Sequence, residues 1–180
     1  MPPRPLATLK AALLADFDHI DLLSALSTET GPKSKFLEIR TDNCVAPDAD
    51  HYHAQLVPYF AACRALLLHV LKLNLDNFPH PIDSLPTVPF RIFACLYPAN
   101  THSGMGLHRD SHSGYGALTL ALTDDHSPES SFYTSANMTA ADTHSWPLHT
   151  GSAVAICPSF CHGVRAFTRP GHRLTITMFF

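Results

Sequence analysis

The chain has 180 residues, of which 46% are hydrophobic and only 15% charged, so it is predicted to fold as a globular domain and a disordered chain is excluded. Its net charge of -3 does not favour a broad nucleic-acid-binding surface. The five cysteines are odd in number and irregularly spaced, and the first residues lack the pattern of a secretory leader. We therefore expect reduced thiols and a cytoplasmic protein, with the nucleus as an alternative.

The first half of the chain is predicted to be mainly helical. Apolar residues at helical spacing over 6–26 predict an amphipathic helix, and a second helix is expected from Tyr59 to about Leu75, with Pro58 in its first turn. Alternation over 35–40 predicts a short strand between them. The strongest apolar run, 65–71, is too short to cross a bilayer, so no membrane segment is expected. Four prolines make 78–89 a loop.

The second half is predicted to be β-structure. Strands are expected at 90–97, 106–108, 117–122, 131–133, 153–157, 163–167 and 173–180. Regular short strands of this kind are typical of a β-barrel or sandwich. Helices first and strands afterwards predict an α+β fold, in which helices buttress one face of the β core. We therefore expect a single domain over 1–180, with helical support and linker at 1–89 and the β core at 90–180.

Histidine is abundant, with thirteen residues, so a His-x-Asp triplet alone carries little weight. The triplet occurs at His19-Ile-Asp21 and again at His108-Arg-Asp110. The first copy falls on a predicted helix, where residues i and i+2 do not face one another. Glycines surround the second copy and favour a strand, on which residues i and i+2 project from the same face. We therefore expect His108 and Asp110 to point together into the barrel, with Arg109 outward.

Two later side chains extend this pattern. His162 begins one predicted strand, and Arg173 begins the alternating strand that ends the sequence. Two imidazoles and one carboxylate are the ligands of the facial triad that holds non-haem Fe(II) and leaves coordination positions open. An arginine that points into an apolar barrel needs an anion, and its planar fork matches a carboxylate. Thr175 shares the face of Arg173 and could donate a further hydrogen bond.

Together these stretches resemble the 2-oxoglutarate- and Fe(II)-dependent dioxygenases, most of all their prolyl-hydroxylase-type branch. Residues 95–110, CLYPANTHSGMGLHRD, resemble that branch's tyrosine–proline turn and His-x-Asp strand, and 162–164 with 171–180 resemble its distal histidine and co-substrate strand. The resemblance implies a double-stranded β-helix core of the jelly-roll or cupin type. It also implies iron held by His108, Asp110 and His162, and 2-oxoglutarate held by Arg173, with Tyr97 close to the co-substrate or the metal.

The activity implied by the resemblance is oxygenation. Such an enzyme consumes O2 and 2-oxoglutarate, releases succinate and CO2, and hydroxylates a C–H bond of a small molecule or of an amino-acid side chain in a peptide. Ascorbate is a candidate reductant. Desaturation, ring formation and demethylation are open to the same chemistry. His102 and His112 flank the predicted site and could contact the substrate.

Some positions depart from the family pattern. Ser130-Ser131-Phe132 stands where many relatives have a Gly-Gly pair, and no tyrosine is a sure counterpart of the one that often helps to bind the co-substrate. Thr119 and Thr123 are candidates to replace it. The nucleic-acid demethylase branch has similar motifs, but its usual second arginine would fall on Phe179, so a nucleobase-modifying enzyme is the second choice.

Two readings without catalysis stay open. In the first, Cys157, Cys161 and His162 form part of a structural zinc site, although the sequence lacks a second cysteine pair with zinc-ligand spacing. In the second, the β-barrel is a binding module whose metal is structural or absent. It predicts that the protein shows no Fe(II)-dependent turnover of 2-oxoglutarate.

Overall fold

The computed structural model describes residues 3–19, 35–41, 44–73, 82–98, 104–110, 114–124, 132–135, 143–158, 160–165 and 171–180. Within these ranges the helices are α1 (Pro3–His19), α2 (Asp50–Leu56) and α3 (Phe60–Lys72). Short 3-10 turns lie at Pro47–Ala49, Val57–Tyr59 and Ile82–Ser84. The second of these turns joins α2 to α3, so the two helices follow one another almost without a break.

The described strands form two antiparallel sheets. They are β1 (Lys35–Thr41), β2 (Cys44–Val45), β3 (Arg91–Pro98), β4 (Met105–His108), β5 (Ala117–Ala121), β6 (Phe132–Ser135), β7 (Thr143–Trp146), β8 (Ala153–Ile156), β9 (Cys161–Val164) and β10 (His172–Phe179). The larger sheet has the order β2-β1-β3-β10-β5-β8, and the smaller has the order β4-β9-β6-β7. From β3 onward the chain passes repeatedly from one sheet to the other, as in a double-stranded β-helix, and the predicted fold class is confirmed.

The last strand shows why the larger sheet has two different faces. Leu174, Ile176 and Met178 alternate along β10 and are buried in the main hydrophobic cluster with side chains of α1 and α3. The residues between them face the other way, and Phe179 packs there with Phe93 and Val154. Because side chains alternate across a strand, the helices cover the outer face of the larger sheet. The inner face looks towards the smaller sheet.

The helical segment from Pro47 to Lys72 has the length and apolar composition of a membrane span, a test that the core helices of soluble proteins also pass. Along it Tyr52, Leu56, Phe60 and Leu67 are buried at roughly helical intervals in the same cluster as the larger sheet. Tyr52 also donates a hydrogen bond of 2.6 Å to Asp16 of α1. These contacts are those of a helix packed on the sheet.

Several predicted elements agree with the structure, and others differ for physical reasons. The helix predicted at 6–26 is observed as α1, and its last residues lie outside the described part of the chain. The helix predicted from Tyr59 is observed as α3, which begins at Phe60. Pro58 lies in the 3-10 turn before α3, and α2, which precedes that turn, was not predicted. The β7 sequence, Thr-His-Ser-Trp, has no apolar alternation and was also missed. The strand predicted at 163–167 begins earlier, at Cys161.

Candidate metal centre

His108 and His162 face each other across two paired strands. β4 and β9 run antiparallel with His108 opposite His162, and Met105 opposite Val164. Three residue steps on β4 match two on β9, so β4 contains a bulge, a feature that re-aims side chains. The imidazole centroids lie 4.3 Å apart. The pairing therefore brings together two rings that are far apart in the sequence.

Asp110 lies between the two imidazoles. Its carboxylate oxygens are 3.5 Å from Nε2 of His108 and 3.3 Å from Nε2 of His162. The three side chains offer ligand atoms that all lie within 4.8 Å of one another, and in the described part of the chain this is the cluster of His, Cys, Asp or Glu that could hold a metal ion. The convergence expected from the sequence is present; the role of these residues as ligands stays a prediction.

The hydrogen bonds of His108 favour one ring tautomer. Nδ1 of His108 lies 2.8 Å from the backbone oxygen of Gly106, which accepts only from a protonated nitrogen. In the neutral ring the lone pair is then on Nε2, which faces Asp110. A ring held through its other nitrogen in this way is the usual arrangement of a metal-binding histidine.

The two imidazoles have different surroundings. A hydrogen bond with Asp110 raises the pKa of His108, although partial burial opposes this. Burial lowers the pKa of His162, against the attraction of the same carboxylate. A cation must therefore compete with a proton mainly at His108, whereas the buried His162 favours its neutral, ligating form.

Arg173 lies at the start of β10 on the inner face of the larger sheet and is only 3% exposed. Its Nη1 donates a hydrogen bond of 2.9 Å to the backbone oxygen of Arg165, just after β9. Its guanidinium carbon is 5.6 Å from the ring centroid of Tyr97, the residue opposite it on β3. A buried positive charge therefore stands close to the strand that carries His162.

The three candidate threonines have different surroundings. Thr175 is buried on the face of Arg173, between Cys95 and Ala121 of the neighbouring strands. The hydroxyl of Thr119 lies 3.1 Å from that of Thr177. The hydroxyl of Thr123 accepts a hydrogen bond of 2.9 Å from the backbone N–H of Leu174. Thr119 and Thr123 are thus engaged within the sheet, which weakens the case for either as a replacement for the missing tyrosine.

The alternative zinc site is not assembled in the described structure. Cys161 and His162 are neighbours on β9, so their side chains point to opposite faces, and Cys161 Sγ accepts a hydrogen bond from Nε of Arg109 at 3.2 Å. Cys157 is buried in the main hydrophobic cluster. All five cysteines are free thiols. The compartment stays an expectation.

Two side chains beside the candidate metal centre were not predicted from the sequence, and some residues that the sequence analysis considered lie outside the described residues. Phe132 stacks on the His162 ring, with centroids 5.6 Å apart and the planes at 19°. Thr134 lies opposite His162 on β6, and both were hidden because β6 is short and its apolar pattern weak. His102, His112 and Asp21 of the first His-x-Asp triplet lie outside the described residues.

The sequence matches no protein-family model and no curated protein. Among solved structures, it is similar to the non-haem α-ketoglutarate-dependent epimerase SnoN from nogalamycin biosynthesis, with a TM-score of 0.62 and 15% identity, over 99% of this chain and 74% of that one. It is also similar to a Pseudomonas putida prolyl-4-hydroxylase, with a TM-score of 0.59 and 17% identity, over 100% of this chain and 87% of that one. The similarity to HygX from Streptomyces hygroscopicus, with nickel and 2-oxoglutarate bound, has a TM-score of 0.59 and 11% identity, over 99% of this chain and 78% of that one.

These comparisons confirm at the level of the fold the resemblance expected from the sequence. By their descriptions, SnoN depends on α-ketoglutarate and has also been solved with Fe³⁺, and HygX holds nickel and 2-oxoglutarate. The third protein is described as a prolyl-4-hydroxylase. The residues present here fit the same groups: two imidazoles and a carboxylate suit Fe(II), and a buried guanidinium suits a carboxylate.

Proposed function

We propose that the protein is an Fe(II)- and 2-oxoglutarate-dependent oxygenase that hydroxylates a C–H bond of a small molecule or of an amino-acid side chain. One observation carries the proposal. His108 of β4, Asp110 just after that strand and His162 of β9 place two imidazole nitrogens and a carboxylate oxygen within 4.8 Å of one another. They share the interior with Arg173, a buried guanidinium from the opposite sheet.

In this proposal His108, Asp110 and His162 hold the metal. The chain supplies three ligands from one side, so the remaining positions are available to small molecules. When bound, the iron, with a 2-oxo acid and O2, supplies the oxidising power to break a C–H bond, with release of succinate and CO2. The backbone oxygen of Gly106 holds the ring of His108 in the orientation that directs Nε2 to this point.

Arg173 would orient the co-substrate by its far carboxylate. Its anchor, the Arg165 carbonyl, lies three residues beyond His162 on the same stretch of chain, which corresponds to about 10 Å of extended backbone. A five-carbon dicarboxylate suits the gap between the guanidinium and the three ligands. The ring of Tyr97 flanks the guanidinium, and Thr175 lies on the same face of β10.

The interior beside these groups is apolar, which supports chemistry that needs water to be excluded. Phe132 contacts His162, and Phe132, Ile156 and Phe179 are buried in one cluster between the two sheets. A low-dielectric surrounding strengthens the attraction between Arg173 and a bound carboxylate.

Hydroxylation is the finer part of the proposal, because the fold neighbours differ in reaction. Their descriptions include an epimerase, a carbocyclase and a prolyl-4-hydroxylase. Small molecules or proline residues are the substrates that these descriptions suggest, and we extend that class to this chain. The nucleobase alternative receives no support from Phe179, which occupies the position of the second arginine and packs against Phe90 and Phe93.

The test is an anaerobic titration of the protein with Fe(II) and 2-oxoglutarate, followed by the visible metal-to-ligand charge-transfer band. We expect the native protein to form the band and Arg173→Gln to need a much higher 2-oxoglutarate concentration. Arg91→Gln is the matched control, since Arg91 forms an exposed ion pair with Glu38 on the far part of the larger sheet.

Three outcomes count against the proposal. They are the absence of the band in native protein, equal loss in the two arginine variants, and a band that is unchanged in Arg173→Gln. Fe(II) affinity measured without 2-oxoglutarate should stay close to native in Arg173→Gln, which shows that the variant is folded. A non-catalytic binding module would instead show no succinate formation in air.

A further inference from the structure

A row of inward-facing side chains crosses the smaller sheet from the candidate metal centre. His108 lies opposite His162, His162 opposite Thr134, and Thr134 opposite His144. Directly paired residues in antiparallel strands project from the same face. Thr134 and His144 therefore face the space between the two sheets, as His162 does.

Trp146 is the next inward residue of β7 and lies opposite Phe132, the ring that stacks on His162. Its Nε1 donates a hydrogen bond of 3.0 Å to the hydroxyl of Thr134. His144 meets its ring edge-on with centroids 4.4 Å apart. The indole is thus held in one orientation, yet 42% of the residue stays exposed. An aromatic residue that is fixed in place but partly uncovered offers a ring surface for a ligand.

Trp146 lines part of a cavity of about 340 Å³. Leu66 and Val70 of α3 contribute to the lining, as do Phe160 and residues 153–157 of and just after the edge strand β8. The described lining contains no Asp, Glu, Lys, Arg or His side chain, and Thr134 is its hydroxyl-bearing member. A cavity of this size and composition fits a small, neutral, mainly apolar molecule.

The end of the cavity that Trp146 lines is within reach of the metal centre. Two strand spacings separate His162 from His144, and Trp146 is two residues farther along β7, so the Cα atoms of His162 and Trp146 are roughly 12 Å apart. Because its indole N–H bonds to Thr134, the residue opposite His162, the Trp146 ring is directed from its Cα towards His162. A molecule of two fused rings can rest on the indole and still extend towards the three ligands.

We propose that Trp146 is a substrate-positioning residue, and that the enzyme takes a neutral molecule with a flat ring system, which stacks on the indole in this cavity. The inference rests on the proposed function for the chemical step, but the binding of the ring does not depend on it. Of the two proposed substrate classes, the inference favours a small molecule over a proline side chain in a peptide.

The chain contains one tryptophan, so a ¹⁵N-labelled sample has a single indole N–H signal, and that signal belongs to Trp146. The test protein carries Zn(II) and 2-oxoglutarate, and the probe is 1-tetralone, a neutral bicyclic aromatic ketone. We expect a saturable shift of the indole signal. N-acetylproline methylamide, at the same concentrations, should leave the signal in place.

Variants separate stacking from general apolar binding. Trp146→Leu should lower tetralone affinity by about tenfold, measured from the ligand's own signals, while Trp146→Phe retains most of it. Leu73→Ala is the control, since Leu73 is 71% exposed and does not line the cavity. Thermal unfolding of each variant shows that it is folded. Equal affinity in Trp146→Leu and the native protein would overturn the inference, as would an equal response to the proline amide.

Replacement of Zn(II) by paramagnetic Mn(II) tests whether the occupied cavity adjoins the metal. We expect faster relaxation of the tetralone protons with Mn(II), and loss of this effect in Asp110→Ala. Saturable tetralone binding without any such relaxation would place the ring away from the metal and overturn the positioning role. Calorimetry of 2-oxoglutarate binding in the same samples keeps the two proposals apart. A protein that binds tetralone but no 2-oxoglutarate contradicts the proposed function alone.

Discussion

At the scale of single residues, Gly163 sets how closely the two histidine-bearing strands approach. An added Cβ there would lie 2.6 Å from the Tyr133 ring and 2.7 Å from the backbone oxygen of Met105 on β4. The Tyr133 ring is itself covered by Arg165, whose guanidinium carbon is 4.7 Å from the ring centroid. Glycine therefore permits a spacing between β4 and β9 that no other residue allows.

We predict that Gly163→Ala lowers the free energy of unfolding by about 1–3 kcal/mol, because the new methyl group must push β4 or Tyr133 away. It should also weaken Fe(II) binding, since β4 carries His108. Chemical denaturation and anaerobic metal titration measure the two effects. Gly106→Ala is the control: a Cβ at Gly106 meets nothing within 4 Å, so both quantities should stay near native. Equal effects in the two variants would contradict the prediction.

At the scale of elements, β10 is tied to the end of β5 beside Arg173. Leu174 donates its backbone N–H to the hydroxyl of Thr123, and its carbonyl accepts from the N–H of Leu122. These bonds are buried, and they fix the beginning of β10, the part of the strand that carries Arg173. The position of Arg173 thus depends on the hydroxyl of Thr123, which lies just after β5.

We predict that Thr123→Val lowers the free energy of unfolding by about 1–3 kcal/mol, because the buried N–H of Leu174 loses its acceptor. The 2-oxoglutarate concentration needed for half-saturation should rise as Arg173 becomes less well positioned. Equilibrium unfolding and a co-substrate titration are the measurements.

The paired hydroxyls of Thr119 and Thr177, 3.1 Å apart, provide the comparison. The double variant Thr119→Val, Thr177→Val removes both partners at once and leaves neither unsatisfied, so it should be nearly neutral. If the double variant loses as much stability and co-substrate affinity as Thr123→Val, the special role of the Leu174 bond is refuted.

The elements differ in how well the sequence reveals them. β10 alternates between large apolar and polar residues, so the pattern alone predicts that Arg173 and Thr175 share one face and that Leu174 and Ile176 share the other. β7 reads Thr-His-Ser-Trp, whose inward residues are exposed, and no burial pattern marks it as a strand. The pairing of His108 with His162 also needs the β4 bulge, which arises from tertiary contacts that sequence periodicity does not report.

At the scale of the whole molecule, the candidate ligands come from distant parts of the chain. β4 and β9 are neighbours in the smaller sheet, and a metal bound to Asp110 and both histidines would add a cross-link between them. A ligand that binds the folded but not the unfolded chain stabilises it by mass action. Metal binding and global stability should therefore be linked.

We predict that Fe(II) at about 100 times its dissociation constant stabilises the protein by about 2.7 kcal/mol under anaerobic conditions. For a chain of this length, that corresponds to a rise in melting temperature of roughly 5–10 °C. Asp110→Ala should abolish the rise. Asp83→Ala, a change at an exposed carboxylate in the 3-10 turn Ile82–Ser84, should keep it. A rise of equal size in both variants would show that the metal binds elsewhere.

The alignment of His108 with His162 has a consequence for the refolding of the protein. If β9 paired with β4 one position out of step, the imidazole would turn to the opposite side of the sheet and Gly163 would stand in its place. Nearly the same backbone ladder would form, but it would have no chelating power. The Fe(II) bound per chain after refolding would therefore measure the fraction of molecules whose strands have joined in the correct frame.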